Sequence, residues 1–124
     1  MKIIIADDSS LLRERLKDLL KDFKNVLISG EAENGKDALQ LIHETNPDVV
    51  ILDIRMPEMN GIEVLKKIRE TGSRPKIIIL TNYPYKQYRS RCLAEGADYF
   101  FDKNQDIGVL TEIIADLANN IKAQ

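Results

Sequence analysis

Apolar residues are distributed along this chain in two alternating patterns: short uninterrupted runs, and stretches in which they recur every three or four positions. Uninterrupted runs rich in Ile and Val are typical of strands buried on both faces, and the three-to-four spacing is typical of amphipathic helices. We predict strands at 2–6, 26–30, 48–53, 75–80 and 99–101. We predict five helices. Two of them span 35–45 and about 84–95, and the other three contain the periodic apolar residues within 12–23, 62–68 and 110–121.

Strand and helix alternate five times in this prediction, with connections of only a few residues. Such alternation favours right-handed βαβ units, and hence an α/β fold in which helices cover both faces of one parallel sheet. No linker, low-complexity segment or internal repeat interrupts the pattern. We therefore expect a single doubly wound domain that uses residues 1–124.

The composition narrows the class of protein without indicating a function. The net charge of −2 and the pI of about 5.4 do not indicate a nucleic-acid-binding surface. No apolar run has the roughly 20 residues of a membrane helix, and the N-terminus lacks the pattern of a signal peptide. The single Cys92 cannot form an internal disulfide, which fits a reducing compartment, so we expect a cytoplasmic protein.

Polar side chains follow several of the predicted strands at the points where those strands leave the sheet. Asp7 and Asp8 come after the first strand, Asp53 closes the third, Thr81 follows the fourth, and Lys103 lies shortly after the fifth. The carboxyl ends of parallel strands meet at one edge, which is where ligands bind in open α/β sheets. Three carboxylates there repel one another unless a hard divalent cation such as Mg²⁺ is bound between them. With a lysine and a hydroxyl nearby, the set predicts a phosphoryl-transfer site with a carboxylate nucleophile.

Each of these residues also has an ordinary structural interpretation. Asp7 and Asp8 can cap the first helix, Asp53 can begin a turn, and Lys103 can be a surface charge. Their common placement on one edge of the sheet is what favours a functional site.

With these residues in place, the chain resembles the receiver domain of two-component response regulators over essentially its whole length. The matching features are the acidic pair Asp7-Asp8, the segment Asp53-x-x-Met56-Pro57-x-Met59-Asn60-Gly61, Thr81, and Gly96-Ala97-Asp98-x-Phe100 before Lys103. An acidic pair alone is weak evidence, but this ordered set in a fivefold βα chain is very specific. The resemblance implies a flavodoxin-like sheet with the strand order 2-1-3-4-5.

The resemblance also implies a chemistry for the acidic residues. Asp53 would accept a phosphoryl group from a phosphohistidine on a sensor histidine kinase or a phosphotransfer protein. Asp8 and Asp53 would bind Mg²⁺ (or Mn²⁺) directly, together with the backbone carbonyl of Arg55, and Asp7 would act through bound water. The protein would assist its own phosphorylation and dephosphorylation without being a turnover enzyme on an external substrate.

The response to phosphorylation is implied to occur on the surface formed by helix four, strand five and helix five. Lys103 would pair with the phosphoryl oxygens, and Thr81 would move to hydrogen-bond one of them. Phe100 would swing inward as Thr81 moves, and this surface would then bind a downstream partner.

Aromatic residues are concentrated near the same predicted surface. Six of the seven Phe and Tyr residues lie between positions 83 and 101, and aromatic residues are enriched at interfaces. We therefore expect Tyr85 and Tyr88 to belong to the output surface. Core packing is the alternative, and it accounts for Phe101 and for at least one of Tyr99 and Phe100.

Several positions depart from the family's usual pattern. Asn104 follows Lys103 where the family has a proline after a cis peptide, and a cis bond before another residue costs roughly 2.5–4 kcal/mol, so we expect a trans peptide. Asn82 is larger than the small residue usual after the threonine and would restrict access to the phosphoryl group. Arg55 and Tyr83 occupy positions that tune the phosphoryl lifetime in the family, and we expect their side chains to shield the acyl phosphate from water.

Other functional classes fit the sequence less well. A flavodoxin-like FMN carrier would need a Ser/Thr-rich phosphate loop after the first strand, and a haloacid-dehalogenase-type phosphatase would carry a second Asp where this chain has Arg55. The main alternative is a receiver-like interaction module that works without phosphorylation. We expect protein partners, no direct contact with nucleic acid or membrane, and a monomer or a phosphorylation-promoted dimer. The chain ends at Gln124, soon after the last predicted helix, so we expect no output domain within it, whether it acts alone or as part of a longer regulator.

Overall fold

The computed structural model describes residues 1–123, with side chains as far as Asn120, and contains five strands and five helices in alternation. The elements are β1 (Lys2–Ala6), α1 (Ser10–Leu20), β2 (Leu27–Ala32), α2 (Gly35–Thr45), β3 (Val49–Leu52), α3 (Gly61–Glu70), β4 (Lys76–Thr81), α4 (Lys86–Ala94), β5 (Tyr99–Asp102) and α5 (Ile107–Ala123). The predicted type and order of all ten elements are confirmed. Within the described residues, none of the helices is long and apolar enough to cross a membrane.

The five strands form one parallel sheet in the order β2-β1-β3-β4-β5. Ile5 of β1 lies opposite Ile51 of β3, and Leu52 of β3 lies opposite Ile79 of β4. The strand order implied by the resemblance is therefore confirmed. Because the chain adds strands outward from β1 in one direction and from β3 in the other, the switch point of the sheet lies between these two strands.

Two hydrophobic layers enclose the sheet, one on each face. In β3, Val50 and Leu52 face the layer formed with α2, α3 and α4, whereas Val49 and Ile51 face the layer formed with α1 and α5. Successive strand residues point to opposite faces, so a strand covered on both sides is apolar at every position. This explains the uninterrupted apolar run of the third strand. Ile121, which belongs to the periodic pattern of the last helix, has its side chain outside the described residues.

Only β1 has the predicted bounds, and in β2 and β4 strand pairing, not hydrophobicity, sets where the strand ends. β2 continues to Ala32, since Glu31 and Ala32 pair with Ile5 and Ala6 of β1 although Glu31 is polar. β4 ends one residue later than predicted, with Thr81 inside the strand. Thr81 is thereby held by the sheet at its carboxyl edge.

The prediction for α4 was wrong at its N-terminus. The helix begins at Lys86, and Tyr85 precedes it with an extended backbone (φ −71°, ψ 143°), so Tyr85 does not share a helical face with Tyr88 and Cys92. Tyr85 occupies the N-cap position, where its side chain makes no capping hydrogen bond to the first turn. The helix also buries a single side chain, that of Cys92, whereas α3 buries five residues. α4 is therefore anchored by few contacts.

Candidate functional site

Three carboxylates meet at the carboxyl edge of the sheet, beside its switch point. Asp7 follows β1 and is 3% exposed, Asp53 follows β3 and is 4% exposed, and Asp8 is open to solvent. One carboxylate oxygen from each lies within 4.8 Å of the other two. The predicted convergence of these side chains is confirmed, and the geometry follows from the pairing of β1 with β3.

The backbone fixes one oxygen of each buried carboxylate. Oδ1 of Asp7 accepts a hydrogen bond of 2.8 Å from the Ser9 amide, and Oδ1 of Asp53 accepts one of 2.7 Å from the Ile54 amide. The other oxygen, Oδ2, of both carboxylates is directed to the same cation, Lys103. The two acids are thus oriented before any ligand binds.

Lys103 bridges the two buried acids. Its Nζ lies 2.7 Å from Oδ2 of Asp7 and 3.0 Å from Oδ2 of Asp53, and its side chain is only 9% exposed. The Lys103 amide donates to the carbonyl of Thr81, and the Asn104 amide donates to Oδ1 of Asp102, so the loop after β5 is held at both residues. The described residues contain no cis peptide, which confirms the trans bond expected between Lys103 and Asn104.

The charges at this edge perturb one another. Burial raises the pKa of Asp53, and repulsion from Asp7 raises it further, although Lys103 acts in the opposite direction. Burial by itself would lower the pKa of Lys103, but hydrogen bonding to Asp7 and the attraction of Asp53 outweigh it, so the pKa is raised. One ammonium group therefore offsets part of the negative charge of three carboxylates. Carboxylate oxygens at this separation fit the ligand chemistry of Mg²⁺ or Mn²⁺, which would supply the remaining positive charge.

Arg13 supports the acidic edge from α1, and nothing in the sequence indicated this role. Its Nη1 donates a hydrogen bond of 2.6 Å to the backbone carbonyl of Asp7, while Nε lies 2.7 Å from Oε1 of Glu31. Glu31 is also paired with Lys17, at 2.6 Å. Only the pairing of β1 with β2 brings Glu31 within reach of Arg13, so this network could be found only in the folded structure.

Two glycines allow the loop between β3 and α3 to pack tightly. A Cβ atom at Gly61 would collide with the carbonyl oxygen of Asp53, and one at Gly35 would collide with the carbonyl oxygen of Met59. The Gly61 amide also donates a hydrogen bond of 2.7 Å to the carbonyl of Ile54. Gly61 therefore allows α3 to start directly against the residue that carries the candidate nucleophile.

Thr81 lies on the same edge, fully buried at the end of β4. Since Leu52 pairs with Ile79, Thr81 lies about one residue beyond the level of Asp53 on the neighbouring strand. Its Oγ1 accepts a hydrogen bond of 3.0 Å from the Tyr83 amide. The hydroxyl is thus held by the loop that follows it, one strand away from the carboxylate.

Arg55 and three tyrosines form a group that we call the arginine–tyrosine cluster: Arg55, Tyr83, Tyr85 and Tyr88. The guanidinium carbon of Arg55 lies 3.8 Å from the centre of the Tyr83 ring, and its Nη2 donates a hydrogen bond of 3.3 Å to the Tyr88 hydroxyl. The ring of Tyr85 lies 6.2 Å from that of Tyr83 and 5.8 Å from that of Tyr88. Arg55 and Tyr83, two of the three predicted lifetime-tuning residues, are therefore in direct contact.

The aromatic residues of β5 are divided between the two faces of the sheet. Phe100 is 6% exposed and packs in the same layer as Cys92, and the guanidinium of Arg89 lies 5.9 Å from its ring centre. Tyr99 and Phe101 stack on each other at 5.8 Å in the opposite layer. The described conformation thus has Phe100 directed inward.

A cavity of about 230 Å³ opens beside Lys103, between α1 and the loops after β4 and β5. Its lining includes Leu11, Arg15, Asn82 and Asn104. Leu11 is 81% exposed and is one of six large hydrophobic side chains that are exposed among the described residues. The sequence agrees with this exposure, because Leu11 lies outside the apolar stripe of α1 that begins at residue 12. The spacing alone did not indicate that Leu11 lies beside the candidate site.

Much of this sequence is shared with proteins of one family. The family profile described as "Response regulator receiver domain" matches residues 3–115. The chain is 48% identical over 82 residues to the transcriptional regulatory protein YdfI of Bacillus subtilis, which covers 66% of this chain and 38% of that protein. The chain thus spans well under half the length of this relative.

The fold is shared with solved structures as well. A DNA-binding response regulator of the LuxR family from Staphylococcus aureus superposes with a TM-score of 0.87 at 38% identity, covering 94% of this chain and 98% of that one. A CheX–CheY–BeF₃–Mg complex from Borrelia burgdorferi gives a TM-score of 0.81 at 26% identity, covering 100% of this chain and 90% of the matched chain.

Proposed function

Because the chain belongs to the response regulator receiver domain family of two-component signal transduction, we propose that Asp53 accepts a phosphoryl group from a phosphohistidine. The donor would be a sensor histidine kinase or a phosphotransfer protein. The observation that carries this proposal is the environment of Asp53, a buried carboxylate that shares Lys103 with Asp7 at the edge where β1 and β3 end. This is a nucleophile held in position beside a fixed cation.

The proposed transfer is a single displacement at phosphorus. A carboxylate oxygen of Asp53 forms a bond to phosphorus while the P–N bond of the phosphohistidine breaks, and its electron pair remains on the imidazole nitrogen. Lys103 would neutralise charge on the phosphoryl oxygens, since its Nζ already lies 3.0 Å from the attacking group. Hydrolysis by water returns Asp53 to its carboxylate and releases inorganic phosphate.

A divalent cation fits the acidic edge, and Mg²⁺ is our proposal, with Mn²⁺ as a substitute. Asp8 and Asp53 would bind it directly with the backbone carbonyl of Arg55, and Asp7 would act through water. When bound, the ion would supply positive charge to the phosphoryl oxygens as they pass between donor and acceptor. The CheY complex from Borrelia burgdorferi contains Mg²⁺ together with BeF₃, which supports the same choice of ion here.

The proposed signal starts from the hydroxyl of Thr81. The Thr81 oxygen accepts from the Tyr83 amide, so its hydroxyl proton remains to be donated to the phosphoryl group, and Phe100, already directed inward, would pack into the space that Thr81 leaves as it moves. The surface formed by α4, β5 and α5, with Tyr85 and Tyr88 at its margin, would then bind a partner protein. We propose a phosphoacceptor and not a turnover enzyme, in a monomer or a phosphorylation-promoted dimer, with no direct contact to nucleic acid or membrane.

Phosphorylation with a small donor tests this function directly. The protein is incubated with acetyl phosphate, with and without Mg²⁺, and its intact mass is measured; we expect one phosphoryl adduct that needs Mg²⁺. The Asp53→Asn variant is expected to form none. If no Mg²⁺-dependent adduct appears, or if the adduct survives Asp53→Asn, the chain acts instead as an interaction module that works without phosphorylation, or through another residue.

Arg55 and Tyr83 are proposed to protect the phosphoryl group, with Asn82 narrowing its approach from the other side. We expect Arg55→Ala combined with Tyr83→Ala to shorten the lifetime of the adduct, because both side chains that cover the exit of β3 and β4 are removed. The loss of the adduct is followed by intact mass after the phosphodonor is removed. An unchanged or longer lifetime would show that these side chains do not exclude water.

A further inference from the structure

The side chain of Arg55 makes two contacts that the proposed function does not require. It lies over the ring of Tyr83 and donates a hydrogen bond to the hydroxyl of Tyr88, and both partners are uncharged. The hydrogen bond of 3.3 Å is longer than the usual 2.9 Å or so for an N–H donor. Arg55 itself is exposed, and it forms no salt bridge with the described residues. Its charge is therefore available to a stronger, anionic partner.

The contact with Tyr88 joins the loop after Asp53 to a helix that has few other anchors. α4 contains three basic residues and no acidic residue, and it is polar on almost every side. Its N-cap, Tyr85, gives it no side-chain hydrogen bond, and only Cys92 is buried. A helix of this kind depends on individual tertiary contacts to stay docked. The hydrogen bond from Arg55 to Tyr88 is one of those contacts, in the first turn of the helix.

We propose that Arg55 binds a phosphoryl group on Asp53 and gives up its hydrogen bond to Tyr88 to do so. Loss of that hydrogen bond then releases the first turn of α4. This inference rests on the proposed function, since it needs the phosphoryl group on Asp53. Arg55 follows Asp53 by two residues and lies over Tyr83, which follows Thr81 by two. Arg55 and Tyr83 therefore both lie just beyond the ends of the neighbouring strands β3 and β4, on the edge of the sheet where the phosphoryl group would be.

Charge determines the direction of the exchange. A phosphoryl group carries about −1.5 to −2 charges and three acceptor oxygens, and a guanidinium can bind it with two parallel charge-assisted hydrogen bonds, whereas the Tyr88 hydroxyl accepts one. Replacing the single negative charge of the Asp53 carboxylate with that of the phosphoryl group adds roughly one negative charge, and Lys103 is already shared between Asp53 and Asp7, so Arg55 would gain an anionic partner there. The phenol of Tyr88 offers Arg55 only an uncharged acceptor. The guanidinium is therefore expected to prefer the phosphoryl group, leaving Tyr88 without its partner.

Cys92 makes the release of α4 measurable. It is the only cysteine in the chain and the one buried residue of this helix, and it lies one helical turn after Tyr88, so opening that begins at the first turn is expected to expose it to a thiol reagent. In the wild-type protein we expect phosphorylation by acetyl phosphate and Mg²⁺ to raise the labelling rate roughly three- to tenfold, the effect expected from the loss of one hydrogen bond. The lifetime of the adduct is measured on the same samples by intact mass.

Two substitutions separate this exchange from simple shielding. Tyr88→Phe removes the hydroxyl that holds Arg55, so we expect faster labelling of Cys92 before phosphorylation and a longer-lived adduct. Arg55→Gln also loosens α4, but it removes the phosphoryl contact, so we expect a shorter-lived adduct and no further rise in labelling on phosphorylation. Tyr99→Phe is the matched control, because it removes a hydroxyl on the opposite face of the sheet.

The outcomes distinguish this inference from the proposed function beneath it. If no Mg²⁺-dependent adduct forms on Asp53, the proposed function itself fails. If the adduct forms normally, but Tyr88→Phe has the lifetime and labelling rate of Tyr99→Phe, the inference is overturned while the function stands. The inference is also overturned if phosphorylation still raises the labelling rate of Cys92 in the Arg55→Gln variant. Opposite changes in lifetime for Tyr88→Phe and Arg55→Gln, with α4 loosened in both, would establish it.

Discussion

Replacing Asp53 with asparagine is expected to make the protein more stable at neutral pH. The carboxylate of Asp53 is buried beside that of Asp7, and folding raises its pKa, so its ionised form opposes folding. Asparagine has nearly the same shape and keeps one oxygen that can accept from the Ile54 amide, while its NH2 group replaces the oxygen that accepts from Lys103. Lys103 also retains its partner Asp7 at 2.7 Å, so the substitution leaves no buried charge without a counter-ion.

The size of the effect follows from three opposing contributions. At an effective dielectric constant of about 20, Lys103 at 3.0 Å attracts Asp53 by roughly 5–6 kcal/mol, and Asp7 within 4.8 Å repels it by roughly 3–4 kcal/mol. The net attraction of about 2 kcal/mol is smaller than the several kcal/mol that burial of a carboxylate costs. We therefore expect Asp53→Asn to raise the free energy of unfolding by about 1–3 kcal/mol at pH 7, or about 4 °C in Tm for each kcal/mol.

The pH dependence of this gain has a definite sign. Since the folded pKa of Asp53 is raised, the stability linked to its proton is present below the unfolded pKa and is lost as the pH rises through the folded pKa. Asparagine does not titrate, so its advantage should be small in acid, where Asp53 is protonated, and should grow toward pH 7. Mg²⁺ should reduce the difference, because it stabilises the wild-type protein by binding to the folded state.

Urea unfolding followed by far-ultraviolet circular dichroism, at pH values from 4 to 7, measures the difference. Asp18→Asn is the control, since Asp18 is exposed on α1 and its one salt bridge among the described residues is with Lys21, at 3.8 Å. Its stability should change by less than about 0.5 kcal/mol. If Asp53→Asn is no more stable than the wild type at pH 7, or if its advantage grows as the pH falls, the charge argument for this edge is wrong.

Three further predictions test other parts of the site. Lys103→Met leaves two buried carboxylates without their cation, so urea unfolding should show a loss of about 3 kcal/mol at pH 7 that is partly recovered at pH 5, and an equal loss at both would contradict this. Gly61→Ala should lose about 2–3 kcal/mol because its Cβ meets the Asp53 carbonyl, whereas Gly108→Ala, with open space around it, should gain up to about 1 kcal/mol. Burial raises the pKa of the Cys92 thiol to about 11, so iodoacetamide at pH 8 should alkylate the folded protein about a hundredfold more slowly than the unfolded one. Similar rates in the two states would show that α4 does not protect this residue.

The sequence was sufficient to predict a sheet covered by helices on both faces, because a strand that is buried on both faces is apolar at every position. Residues 49–52 are all apolar, and the structure covers both of their faces. The positions of Asp7, Asp53 and Lys103 followed from the same pattern, since parallel strands place their carboxyl ends on one edge. These predictions needed only local periodicity and one topological rule.

The remaining features depend on contacts between residues far apart in the chain. The bond from Arg55 to Tyr88 joins residues 33 positions apart, and the pairing of Arg13 with Glu31 requires β2 to lie beside β1. Neither contact has a local signature, because an arginine looks the same in sequence whatever it contacts in the folded structure. The start of α4 was misjudged for a related reason: Tyr85 has no capping oxygen, so the sequence contained no signal for the helix boundary.

Repulsion between the carboxylates of Asp53 and Asp7 also bears on why Asp53 would accept a phosphoryl group. As a carboxylate, Asp53 holds its charge in a buried position beside Asp7, which raises its pKa. Forming an acyl phosphate would remove that charge from the buried carboxyl group and transfer it to phosphoryl oxygens farther out, near Lys103 and the exposed Arg55. Part of the unfavourable free energy of the acyl phosphate bond is then offset by relief of repulsion within the protein. The same relief would be unavailable to a carboxylate on the surface, so we expect burial of Asp53 to contribute to its proposed reactivity as well as to its position.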